Sequence, residues 1–301
     1  MWGTIHSMGY QQHNHSTTEN IRVAFFLNLV FTLLEIAGGI WTNSLAILSD
    51  AIHDFGDSFS LGLAWYLDHF SQRENDRRFS YGYRRFSLHS ALINTIVLIG
   101  GSVIILSKAI PRLFAPESAN APGMAVIAVI GIVANGAAVL RLRSERSMNA
   151  RVVAWHLLED VLGWVAVLVV SIVLLIADVY ILDPILSILI TLYVLYNTLR
   201  NLWKTASLFM QAVPDTVDMD QIDSQLQAIP EVLSTHHTHV WSLDGEHHVL
   251  TTHVVISEDT SKDDVVCIRR EIQDVLREMD FSHTTVEIEF GENDCGMEAG
   301  R

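Results

Sequence analysis

The chain has 301 residues, 50% of them hydrophobic and only 18% charged, a balance that excludes an ordinary soluble globular protein. Its net charge of −15 lies wholly in the C-terminal third: residues 1–204 carry 14 acidic and 14 basic side chains, whereas residues 205–301 carry 20 acidic and 5 basic. That acidic part excludes nucleic acid and an anionic lipid surface as partners and suits cations.

In chain order, residues 1–20 are polar and contain His13 and His15. They read as a cytoplasmic tail with no signal peptide. Six apolar segments follow, at 21–41, 44–70, 86–106, 123–140, 150–176 and 184–203. Each supplies about 20 helical residues, enough for a hydrocarbon core of roughly 30 Å. Helices satisfy their own backbone groups in lipid, and the recurrent Gly, Ala and Ser suit close helix packing. Residues 21–204 therefore form a six-helix transmembrane domain. Arg73, Arg77, Arg78, Arg84 and Arg85 lie between the second and third segments, Arg141, Arg143 and Arg146 after the fourth, and Arg200 and Lys204 after the sixth. The alternate loops are poor in Arg and Lys, so both termini are expected in the cytoplasm.

Beyond residue 204 the pattern changes. Val217, Ile222, Leu226 and Ile229 recur at helical spacing, and "VLSTHHTHVWSL" and "HHVLTTHVVIS" read as strands joined by a hairpin at Asp244-Gly245. "SKDDVVCIRREIQDVLREM" is an amphipathic helix capped by Ser261 or Asp263, and "TTVEIEF" a third strand with Val286, Ile288 and Phe290 on one face. The order α-β-β-α-β predicts a ferredoxin-like α+β domain over residues 205–295, with 296–301 as a tail. Cys267 and Cys295 form neither a CxxC pair nor a disulfide framework.

Two membrane segments carry ionisable groups at their centres. In "LAILSDAIHDFGDSFSLGLAW" His53 is followed four residues later by Asp57, and in "NARVVAWHLLEDVLGWVAVLVV" His156 is followed by Asp160. Residues i and i+4 share a helix face. An Asp near the bilayer centre costs about 2.5–3.5 kcal/mol even on the lenient insertion scale, and a dication held between two such helices offsets that cost. Two imidazoles and two carboxylates form a suitable tetrahedral shell for Zn²⁺. Asp50 borders the same face and is expected to orient an imidazole. Asp54 and Glu159 point elsewhere and receive no role.

"SLAILSDAIHDFGDSFSLGLAW", "YGYRRFSLHSALIN", "SMNARVVAWHLLEDVLGWVAV" and "ILDPILSILITLYVLYN" resemble the cation diffusion facilitator family in its zinc-type branch, over about residues 20–292. The resemblance implies a homodimer in the bacterial inner membrane with a cytoplasmic metal-binding domain per subunit. It implies export of Zn²⁺, often with Cd²⁺ or Co²⁺, against inward proton flow. The implied transport ligands are His53, Asp57, His156 and Asp160. Neutral imidazole is needed for metal binding, so protons and Zn²⁺ compete at His53 and His156. In the soluble domain the implied ligands are His239, His253 and Glu289. Some members carry an Asp/His site in the loop between helices two and three; "ENDRRFSYGYRR" has no His, so that site is expected to be absent. A passive metal channel and a membrane-anchored metal sensor are the alternatives. An enzyme is not expected, because a full two-His, two-Asp shell leaves no open position for a substrate.

Overall fold

A computed structural model describes residues 7–71, 75–142, 148–291 and 295. Six long helices come first: α1 (Ser7–Thr42), α2 (Leu45–Ser71), α3 (Phe86–Phe114), α4 (Ala121–Leu142), α5 (Met148–Ile176) and α6 (Leu182–Phe209). Helix α1 begins at Ser7, so part of the expected tail is helical backbone. The side chains of His13 and His15 lie outside the described residues. Five of the helices are long and apolar enough to cross a membrane. The sixth, α2, spans 27 residues but carries Asp50, Asp54 and Asp57.

The packing of this unit is inverted relative to a soluble core. Large apolar side chains such as Leu27, Ile40, Val133 and Leu189 are exposed along the helices, whereas Thr32, Ser49, Ser58, Ser171, Ser187 and Thr191 are buried. In lipid no hydrophobic drive separates Leu from its surroundings, so small and hydroxyl-bearing residues take the helix contacts. Ser49 and Thr191 share a hydrogen bond of 2.7 Å, and Ser187 Oγ donates to the Leu45 carbonyl at 3.0 Å, tying α2 to α6. Asn28 Nδ2 donates to Ser58 Oγ at 3.0 Å, tying α1 to α2. Ile47, Met124, Ala128, Trp164 and Val167 form an apolar cluster shared by α2, α4 and α5.

Gly131 lets α4 pack closely on Trp164 of α5. A Cβ there would stand 2.3 Å from the buried Trp164 ring. Gly131→Ala should therefore force the indole off its seat and destabilise the helical unit by about 1–3 kcal/mol. A fall in the thermal midpoint in detergent, with Gly100→Ala as the control in open space, would register it.

The second compact unit joins Ser71–Leu88 to the chain from Trp203 onward. The segment between α2 and α3 thus belongs with the C-terminal part rather than with the helices that flank it. Here α7 (Met219–Gln227), β1 (Val232–Ser242), β2 (His248–Ile256), α8 (Lys262–Glu278) and β3 (Phe281–Phe290) follow the expected α-β-β-α-β order. The strand order is β1-β2-β3, with β1–β2 antiparallel and β2–β3 parallel. A parallel pair needs a crossover, and α8 supplies it. Ile222 and Leu226 of α7, Ile268, Ile272 and Leu276 of α8, and Val240, Leu250 and Val254 of the sheet form one core. Ser261 caps α8, its side chain accepting from the Asp264 N–H.

Two details differ from the expected pattern. The hairpin loop spans residues 243–247 and not two residues. Asp244 organises it by accepting from the N–H groups of Glu246 and His247. Partial burial works to raise this carboxyl, but those N–H groups and the His247 ring outweigh it and hold Asp244 below its ordinary range. On β3, Val286 and Ile288 pack on the core while Phe290 is exposed, and the buried residue between them is Glu289.

Candidate metal centre

Helical periodicity stacks His53 on Asp57 in α2 and His156 on Asp160 in α5. The two helices then pair crosswise. His156 Nε2 donates to Asp57 Oδ2 at 2.8 Å, and His53 Nε2 lies 3.8 Å from the same oxygen. The two imidazoles meet edge to face with ring centres 5.6 Å apart. Ligand atoms of His53, His156 and Asp160 fall within 4.8 Å of one another, as do those of His53, Asp54 and Asp57. All four side chains singled out from spacing therefore converge, and Asp54 joins them.

Around this cluster lies a layer of buried carboxyls. Asp50 is buried, and its Oδ1 faces α5, 3.8 Å from where a Gly163 Cβ would stand. The carboxylate bonded to an imidazole is Asp57, not the Asp50 expected from sequence. Glu35 of α1, only 1% exposed, sets its carboxyl against that of Asp54. Sequence reasoning missed Glu35. The available signal was an acidic residue inside the first apolar segment, which is as expensive there as the ones that were noticed. Glu159 is exposed and stands outside both triads.

The C-terminal unit holds a second cluster. His236, His253, Glu289 and Cys295 each offer a ligand atom within 4.8 Å of the others. His253 Nδ1 donates to Glu289 Oε1 at 2.6 Å, and the His236 and His253 rings are 5.3 Å apart. The expected His239 is not in this group; His236 takes its place. The cause is a register shift between His236 and His239, with His237 at φ 49°. His236 pairs with His253, but after the shift His239 pairs with Thr251. A bulge changes which residues share a face, so the simple alternation of a strand fails across it.

Over residues 21–210 the chain matches the cation efflux transmembrane domain, and over residues 214–290 the cytoplasmic domain of cation efflux proteins. It is 32% identical over 290 residues to the zinc transporter ZitB of Yersinia pseudotuberculosis, covering 94% of this chain and 92% of that one. It is 31% identical over 282 residues to the metal cation efflux system protein CzcD of Cupriavidus metallidurans, covering 92% and 89%. A third relative, at 28% over 287 residues and 92% and 91% coverage, is the cadmium, cobalt and zinc/H(+)-K(+) antiporter of Bacillus subtilis.

The chain belongs to the cation diffusion facilitator family, in its zinc-type branch. It is an integral membrane transporter for metal cation efflux, and not an enzyme. In this facilitator the segment between α2 and α3 is folded around Asp76. Its carboxylate accepts from Tyr83 Oη, Arg78 N and Phe79 N, each at 2.7 Å. Those donors, Tyr83 first, hold the carboxyl below its ordinary range. Tyr81 of the same segment sets its ring against His283 at 5.3 Å and Trp241 at 6.4 Å. Asp76 is thus engaged in shaping the loop, and Tyr81 sets the loop against the sheet.

Proposed function

We propose that this facilitator exports Zn²⁺ from the cytoplasm in exchange for protons, as a homodimer in the bacterial inner membrane with both termini in the cytoplasm. The observation that carries the exchange is the 2.8 Å bond between His156 Nε2 and Asp57 Oδ2. One proton lies between these atoms, and each presents a lone pair to a metal once that proton leaves. A cation held by His53, Asp57, His156 and Asp160 therefore displaces a proton from the α2–α5 interface. Outside, where protons are more abundant, the proton returns and the cation is released. Two imidazoles and two carboxylates favour Zn²⁺ over harder cations. The names of the relatives, zinc transporter and zinc/H(+)-K(+) antiporter, agree with this cargo and this exchange. A second metal ion binds between His236, His253 and Glu289 and regulates the subunit.

The test is flux in proteoliposomes carrying a zinc-responsive dye. Zn²⁺ entering from the cytoplasmic face should accelerate when the lumen is made acidic and should accumulate against its own gradient. A flux that ignores the pH gradient and never runs uphill is that of a channel and overturns the exchange. Zinc binding without flux leaves a membrane-anchored sensor.

A further inference from the structure

Cys295 follows β3 by five residues and brings its Sγ to 3.9 Å from His253 Nδ1. The position carries no cysteine motif, yet it completes the cluster of His236, His253 and Glu289. Glu289 is only 3% exposed. One of its oxygens accepts from His253, but the other, Oε2, is buried with no hydrogen-bond partner among the described residues. His236 Nε2 stands 3.0 Å from that oxygen, at ion-pair distance but without hydrogen-bond geometry, and is likewise buried. A buried carboxylate oxygen without a hydrogen-bond donor is costly to keep. Two facing lone-pair atoms in that condition beside a thiol are arranged for a cation rather than for each other.

We propose that Cys295 is the fourth ligand of a closed His₂–Glu–Cys site in the C-terminal unit, binding a borderline or soft divalent cation, Zn²⁺ or Cd²⁺. The inference rests on the reading that His236, His253 and Glu289 hold a second metal. It goes further in naming the ligand that closes the shell and sets its selectivity. Four protein ligands and no open position make this a structural or sensing site and not a second transport site. A thiolate is a softer donor than imidazole or carboxylate, so this site favours soft cations such as Cd²⁺ more strongly than the α2–α5 site, with its N and O donors, does. Binding releases the thiol proton, because the thiolate is the ligand.

The chain has only two cysteines, Cys267 and Cys295. Cadmium–thiolate charge transfer in the ultraviolet is therefore blind to the transport site. Purified full-length protein carrying Asp57→Asn, which silences the α2–α5 site, is titrated with Cd²⁺. The charge-transfer band should rise at saturation in this background and in the added Cys267→Ser variant. It should vanish in Cys295→Ser, whose remaining cadmium site weakens by at least about tenfold. In the same protein Cd²⁺ should protect Cys295, but not the exposed Cys267, from alkylation. A band that survives Cys295→Ser, or that is lost in Cys267→Ser, overturns the assignment. If Cd²⁺ binds without any sulfur band, Cys295 is not a ligand but the three-residue site stands. If the Asp57→Asn protein binds no Cd²⁺ at all, the underlying reading of the second metal fails with it.

Discussion

Asp57→Asn is expected to lower zinc flux by about 100-fold or more while leaving the protein folded. Asp57 Oδ2 is the atom that both imidazoles face, at 2.8 Å from His156 and 3.8 Å from His53. The amide is nearly the same size, so packing survives. What is lost is one of two negative charges that neutralise the cation in surroundings where an uncompensated charge is expensive. Removing only an outer partner of a metal ligand typically weakens binding 10- to 100-fold, and loss of an anionic ligand exceeds that. The exposed Glu159, one residue from Asp160, is the matched control: Glu159→Gln should transport as wild type does. Flux in Asp57→Asn within about threefold of wild type, with zinc affinity unchanged, would move the metal centre away from the α2–α5 interface.

The two His–Asp pairs were legible because helix periodicity is local: four residues apart means one face, whatever the helix packs against. Two neighbours of the site were not legible for the complementary reason. Glu35 meets Asp54 only because α1 packs on α2, and no spacing within either segment predicts that contact. For the same reason sequence paired each His with the Asp on its own helix, whereas the short hydrogen bond runs between helices, from His156 to Asp57. In the sheet the failure was of another kind. His239 was implied by the family resemblance, and the register shift with its positive φ at His237 leaves His236, not His239, opposite His253. Cys295 lay in a stretch with no periodicity, and only the fold brings it to His253.

The second large effect is expected at the start of α2, away from its His–Asp pair. Asp183, in the first turn of α6 and 2% exposed, accepts from Ser44 Oγ at 2.5 Å, Leu45 N at 2.8 Å and Ala46 N at 3.3 Å. Ser44 Oγ in turn accepts from Ile47 N at 3.2 Å. These are the N–H groups at the start of α2 that have no partner within the helix, and a carboxylate there also suits the positive end of the helix dipole. One side chain thus caps α2 from α6. Asp183→Ala leaves three buried donors facing an apolar gap, at about 1–3 kcal/mol each, so the helical unit should lose about 3–5 kcal/mol even after partial relaxation. Asp183→Asn keeps an acceptor on one atom and should lose roughly 1–2 kcal/mol. Thermal unfolding in detergent should rank wild type above Asn and Asn above Ala. Transport should fall in the same order, because His53 and Asp57 ride on the helix whose start Asp183 holds, roughly 12 Å and more along its axis. An Ala variant that melts with wild type would show that Ser44 and water satisfy these groups without it.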